Sequence, residues 1–212
     1  MNKRTRIAAG AVLAAGVGTL AYPLFFRDRC LTWGAQPSEV SGKMPGDELL
    51  AEPDIVTTRA VWVDAPADAI WPWLVQIGPG RGGVYTYDWI ENLFGLGMHS
   101  ADQILPQYQD LTIGDTQHLG ERGPVMRVAV LEPGRSLVLR SDDGNWVWAF
   151  SLVPDDPGTR LISRNRIAAP AAPPPARLFN LLVMEPGSLI MERKMLLGIK
   201  ERAERLASER AT

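Results

Sequence analysis

The sequence predicts an α+β domain: a curved antiparallel sheet closed by one long C-terminal helix, with an apolar segment ahead of it. Three observations carry this. Between residues 116 and 167, five short runs rich in β-branched and aromatic side chains alternate with turn signals. Ahead of them, a β-branched run over 55–63 passes into a helical stretch ending near residue 77. Finally, Leu189, Leu196, Ile199, Ala203 and Leu206 form one stripe at about 100° per residue, with Met195 at its edge. Strands grouped apart from helices mark the α+β class. A sheet with one apolar face must be covered, and only the last helix is long enough to do it.

The elements follow in chain order. Lys3, Arg4 and Arg6 precede an uncharged run over residues 7–26, which Arg27, Asp28 and Arg29 close. Twenty residues rising about 1.5 Å each span the roughly 30 Å hydrocarbon core, so the run reads as an N-terminal transmembrane helix. A cleaved secretory signal is the alternative, with Thr19-Leu20-Ala21 as the small-residue site. Apolarity continuing through Phe25 and Phe26 favours the anchor. Under both readings the positive cluster keeps the body outside the cytoplasm. The expected location is the cell membrane with a single pass, or secretion if the segment is cleaved. Residues 1–30 are thus an anchor or signal, 31–53 a linker wrapping onto the domain with a short helical piece near 37–44, and 54–212 the globular domain.

Asp64-Ala65-Pro66 ends the first strand and opens the first helix of the domain, with Asp64 as N-cap and Pro66 in the first turn. A glycine-rich stretch at 78–83 leads to a helical segment over 85–94, then to irregular chain as far as residue 111. The strands fall near 116–119, 125–132, 136–141, 145–153 and 160–167. Along them Met126, Val128 and Val130 share one face, as do Trp146, Trp148 and Phe150. Arg140, Arg164 and Arg166 take the solvent side, with Leu139, Ser163 and Asn165 inward. After a Pro/Ala connection at 168–175 comes a short apolar piece, 178–184, and then the long helix from Pro186 to about residue 208.

Composition excludes several functions. Of 22 basic and 24 acidic side chains, five and one lie in residues 1–30, leaving 17 and 23 in the rest. A mildly acidic body is not a nucleic-acid surface, which needs clustered Lys and Arg. The single cysteine, Cys30, allows no internal disulfide and no multi-thiolate metal site. Two histidines without an H-E-x-x-H pattern do not make a zinc site. No metal and no cofactor is expected. Gly78-Pro79-Gly80-Arg81-Gly82-Gly83 satisfies G-x-G-x-x-G in form. It follows a helix and lies in no βαβ unit, so it reads as a hinge and not as a dinucleotide site.

Residues 54–208 resemble the START-like helix-grip superfamily (SRPBCC), the group that includes polyketide cyclase/dehydrase-like proteins. The resemblance rests on Val61-Trp62-Val63-Asp64-Ala65-Pro66 leading into Ile70-Trp71-Pro72-Trp73-Leu74, on the strand meander, and on the segment Met191-Glu192-Arg193-Lys194-Met195-Leu196-Leu197-Gly198-Ile199-Lys200 of the closing helix. The stretch from Gly80-Arg81-Gly82-Gly83-Val84-Tyr85 to Asn92-Leu93 is similar to a hallmark of bacterial membrane-linked members. The resemblance implies a helix-grip fold, with the sheet wrapped around the long helix and a hydrophobic ligand held between them. Some such proteins are enzymes and many only bind, so fold does not settle function.

The candidate ligand-binding residues are Tyr85, Tyr87, Trp89, Met126, Val128, Leu139, Trp146, Trp148 and Met195. The two tyrosines offer hydroxyls to a ligand's polar end, and Trp146 and Trp148 are either core or the wall of a cavity. Glu192 interrupts the apolar stripe: it either faces a dry pocket as an acid or base, or pairs with an arginine or solvent. His99, near Ser100 and Asp102, is the other catalytic candidate, although no G-x-S-x-G elbow accompanies it. The expected function is membrane-tethered binding of a hydrophobic small molecule or lipid. A cyclase, dehydratase or hydrolase using Glu192 and His99 is the rival. A third reading is an interaction module whose 178–184 piece docks on a partner or the bilayer.

Overall fold

The computed structural model describes residues 22–93, 99–120, 123–169 and 173–211. Six strands form one antiparallel sheet: β1 (Ile55–Val63), β2 (Thr116–His118), β3 (Val125–Glu132), β4 (Ser136–Ser141), β5 (Trp146–Asp155) and β6 (Gly158–Ile167). Their spatial order is β1-β6-β5-β4-β3-β2, so the first strand closes beside the last and the other five form a meander. The register of β3 against β4 shifts between Val128 and Val130, a bulge of the kind that bends a strand. The helices are α1 (Arg27–Leu31), α2 (Pro37–Ser41), α3 (Ala67–Val75), α4 (Asp88–Leu93), α5 (Pro174–Phe179) and α6 (Glu185–Arg210).

Both faces of the sheet are covered. On the outer face Met44 packs with Ala60, Val138, Val147, Ala149 and Ile162, and Leu49 and Leu50 join them. Arginines hold this covering in place. Arg160 binds Glu39 at 2.7 Å, Arg164 binds Asp47 at 2.7 Å and the Gly42 carbonyl at 2.9 Å, and Arg166 binds the Leu50 carbonyl at 2.8 Å. Arg164 and Arg166 do lie on the outer face. They clamp the preceding segment, and Arg164 is buried where sequence alternation puts it in solvent. Alternation reports the face of a strand, not what else covers it.

The inner face carries α3 and α6. Ile70, Trp73 and Leu74 of α3 and Leu196, Ile199 and Ala203 of α6 pack on Val63, Phe150, Leu152 and Leu161. Helix α6 begins at Glu185, one residue before the expected Pro186, and it continues an earlier helical piece. Helical chain runs from Pro174 to Arg210, widened to a π turn over Asn180–Met184. A proline ring crowds the preceding turn and offers no N–H, and a wider turn relieves that conflict. Helix α4 starts at Asp88 and not at the expected residue 85, because Tyr85 has φ 58°, which no helix accommodates; residue 94 lies outside the described residues. The glycine-rich loop is closed on itself by Gly78 N–H to the Gly83 carbonyl at 2.8 Å and the reverse bond at 3.0 Å. The segment expected as a hinge is thus a turn held by its own backbone hydrogen bonds.

Helix α6 passes so close to Tyr85 that a Cβ on Gly198 would stand 2.7 Å from the Tyr85 carbonyl oxygen and 3.1 Å from its Cβ. In an open helix Gly→Ala gains about 1 kcal/mol. Here Gly198→Ala is expected to cost about 1–3 kcal/mol, the range for overpacking. Thermal melts of the two proteins check the sign, and a stabilised variant would mean that the helix can move away freely.

No helix among the described residues is long and apolar enough to cross a membrane. The expected span over 7–26 lies outside the described residues except for Tyr22–Phe26, a π turn that runs into α1.

Candidate functional site: a cavity between sheet and helix

The strand register divides the inner face of β1, β6 and β5 into rows. Ile55, Ile167 and Trp146 make the first row, and Thr57, Asn165 and Trp148 the second. Arg59, Ser163 and Phe150 follow, then Val61, Leu161 and Leu152. The C-terminal half of α6 lies tight on the last of these. Its N-terminal half stands off the first two, leaving a cavity of about 520 Å³. The helix contributes Glu185, Ser188, Met191, Glu192 and Met195 to the wall, and Val84 and Thr86 enter from the loop before α4.

Indole rings form much of the sheet wall. Trp146 and Trp148 stack with centroids 5.9 Å apart and planes at 18°. Trp148 donates from Nε1 to Ser163 Oγ at 3.1 Å, and Trp146 donates to Asn165 Oδ1 at 2.8 Å. Both polar edges are thereby satisfied and the ring faces are left for contact.

The third row is a polar floor between cavity and core. Arg59, fully buried, donates from one terminal nitrogen to Glu192 Oε2, from the other to Ser188 Oγ at 3.0 Å, and from Nε to the Cys30 carbonyl at 3.1 Å. Glu192 Oε1 accepts from Ser163 Oγ at 2.5 Å and from Asn165 Nδ2 at 3.1 Å. Burial pushes the Glu192 carboxyl above the usual carboxylate range, while Arg59 and the donors from Ser163 and Asn165 pull against that. The carboxylate is fully engaged by its neighbours, so it is built as an ion-pair anchor at the cavity floor.

The structure brings four of the sequence-designated residues to this cavity: Trp146, Trp148, Met195 and Glu192. Four others lie in the packed core. Tyr85 is buried with its hydroxyl donating to the Trp73 carbonyl at 3.0 Å, which leaves none for a ligand. Met126, Val128 and Leu139 are buried in the same core. Leu139 and Val128 continue the row of Trp148 across the sheet, but there Leu74 and Ile77 cover it. Tyr87 lies with its ring 5.9 Å from Lys194 Nζ, and Trp89 is 70% exposed on α4. His99 is at the surface, 3.7 Å from Asp88, and does not line the cavity.

Sequence reasoning missed Arg59. The signal was present, since Arg59 shares the inward face of β1 with Thr57, Val61 and Val63. An arginine there requires a buried acceptor. Ser188 and Met191 were also missed, because the expected stripe on α6 is centred closer to Leu189 than the observed inward face. Among the described residues no cluster of His, Cys, Asp or Glu is arranged to hold a metal ion.

No protein-family model and no characterised protein sequence matches this chain. Among solved structures, a protein from Thermobifida fusca is 18% identical over 71% of this chain and 94% of its own, with a TM-score of 0.45. A Polyketide_cyc-like protein from Corynebacterium glutamicum is 19% identical over 74% of this chain and 91% of its own, with a TM-score of 0.33. A protein from Mesorhizobium loti is 16% identical over 73% and 98%, with a TM-score of 0.40. Likeness at this level concerns the fold alone and says nothing of a ligand. In its own architecture the chain has what the resemblance implies for the fold, an antiparallel sheet closed by a long C-terminal helix.

Proposed function

We propose that this domain binds one hydrophobic small molecule or lipid in the cavity, and that residues 7–26 tether it to the membrane. The carrying observation is the contrast within the site: stacked indoles and methionines around open space, above a floor whose polar groups already satisfy one another. Such a wall favours apolar ligand surface, and a floor whose polar groups are already paired adds little cost to excluding water from it. Native mass spectrometry of the full chain in detergent, followed by solvent extraction, tests the reading. One apolar molecule per chain is the expected result. An empty protein whose tryptophan emission ignores a panel of lipids and aromatic polyketides would overturn it.

One observation favours a second reading, a cyclase, dehydratase or hydrolase acting in the same cavity. Glu192 borders the cavity, and its burial pushes the carboxyl above the usual carboxylate range. The same extraction separates the two. A binder returns its ligand unchanged after incubation, whereas an enzyme returns a product that disappears in Glu192→Gln.

A further inference from the structure

The exposed surface is unevenly apolar. Phe25 and Phe26 are 71% and 57% exposed, and Leu178, Phe179, Val183 and Met184 are each between 44% and 55% exposed. Scattered exposed side chains need no explanation, but these belong to two segments that are joined to one another. Glu185, the residue after Met184, accepts from Arg27 Nε at 2.9 Å and from its terminal nitrogen at 2.8 Å, and from the Tyr22 hydroxyl at 3.3 Å. Cys30 Sγ donates to the Glu185 carbonyl at 3.4 Å. The two phenylalanines are thus held beside the π turn that precedes α6. Met184 and Glu185 also line the cavity, so the apolar surface borders its rim. The opposite end of α6 carries exposed Glu201, Arg205, Glu209 and Arg210 instead.

We propose that this end of the domain docks on a lipid bilayer, with Phe25, Phe26, Leu178, Phe179, Val183 and Met184 entering the leaflet and the cavity rim turned toward the lipid. The occupant follows from chain connectivity. The uncharged run over residues 7–26 ends at these two phenylalanines, with Lys3, Arg4 and Arg6 at its far end and Arg27 and Arg29 at this one. A run of that length and charge pattern suits a bilayer and leaves its last residues at the interface. Whatever surface is clamped to Arg27 is then at the interface as well. The inference rests on the reading of residues 7–26 as an anchor and of the cavity as a ligand site.

The test uses the full chain in vesicles of phosphatidylcholine and phosphatidylglycerol. Phe179→Cys is labelled with an environment-sensitive nitrobenzoxadiazole dye on the folded protein, where the native Cys30 is buried; the unsubstituted chain serves as the blank. Arg135→Cys, in the turn between β3 and β4 at the other end of the strands, is the control. With doxyl-labelled phosphatidylcholine present, emission from position 179 is expected to shift to the blue and to be quenched several-fold more than emission from position 135. Equal, weak quenching at both positions overturns the proposal. A blue shift at 179 without quenching also overturns it, since the patch is then covered by residues 7–21 or by a second copy of the chain. An extraction that finds no ligand, alongside strong quenching at 179, defeats the binding reading and leaves the docking intact. A ligand without quenching does the reverse.

Discussion

Replacing Arg59 with methionine is expected to destabilise the protein by about 3–5 kcal/mol, the cost of leaving one member of a buried ion pair uncompensated. Glu192 would keep Ser163 and Asn165 as donors but lose its charged partner, and Ser188 and the Cys30 carbonyl would each lose a donor. Urea unfolding monitored by circular dichroism measures the loss, and a change below about 1 kcal/mol would mean that the pair is not closed to water. The double variant Arg59→Met with Glu192→Met is expected to recover most of the deficit, because no buried charge is then left alone. The single variant also carries a pH signature. Without Arg59, burial is opposed by the Ser163 and Asn165 donors but no longer by a charge, and the Glu192 folded-state pKa stays above that of the unfolded chain. A carboxyl raised in this way contributes its stability below the unfolded pKa and loses it as pH rises through the folded value. The deficit of Arg59→Met is therefore expected to shrink when unfolding is repeated at about pH 5 instead of about pH 8. A deficit that does not change with pH would place the lost stability in packing or in the Cys30 contact.

The second large effect concerns the cavity. Met191→Trp places a bulky ring into open space from the helix wall, across from the strands that carry Trp146 and Trp148. Binding of the fluorescent apolar probe N-phenyl-1-naphthylamine is expected to weaken by at least about tenfold, which corresponds to about 1.4 kcal/mol. The melting temperature should hold or rise, as it does when a void is filled. The same enlargement at Leu196, only five residues along the helix but fully buried in the core, should instead cost about 1–3 kcal/mol. Unchanged probe binding in Met191→Trp would move the binding site elsewhere. Equal destabilisation by both substitutions would mean that the space beside Met191 is packed.

The difference between Met191 and Leu196 also marks where sequence reading ran out. Period-two patterns and turn signals located the five meander strands and β1, because each strand face repeats every second residue whatever lies above it. The stripe at helical period located α6 and put Glu192 on the inward side. The same patterns could not tell Trp148 from Leu139. They face each other across β5 and β4, yet Trp148 borders the cavity while Leu139 lies in the core packed with Leu74 and Ile77. Periodicity reports a face, whereas cavity or core depends on which helix reaches which stretch of the row. Tyr85 illustrates a different gap: its left-handed backbone cut short the expected 85–94 helix and turned its hydroxyl to Trp73.

From the sequence alone came the α+β class, the strand and helix order, the inward faces of the strands and the oddity of an acid on an apolar stripe. These are local properties, set by backbone geometry and by the need of each apolar face for cover. Only the tertiary structure decided that Arg59 meets Glu192 across 133 residues of chain, that the arginines of β6 clamp a covering segment, and that the cavity lies beneath the N-terminal half of α6. Pairings so distant depend on how the helix sits across the sheet. That is settled by the packing of the whole core, in which no short stretch of sequence holds more than one side of each contact.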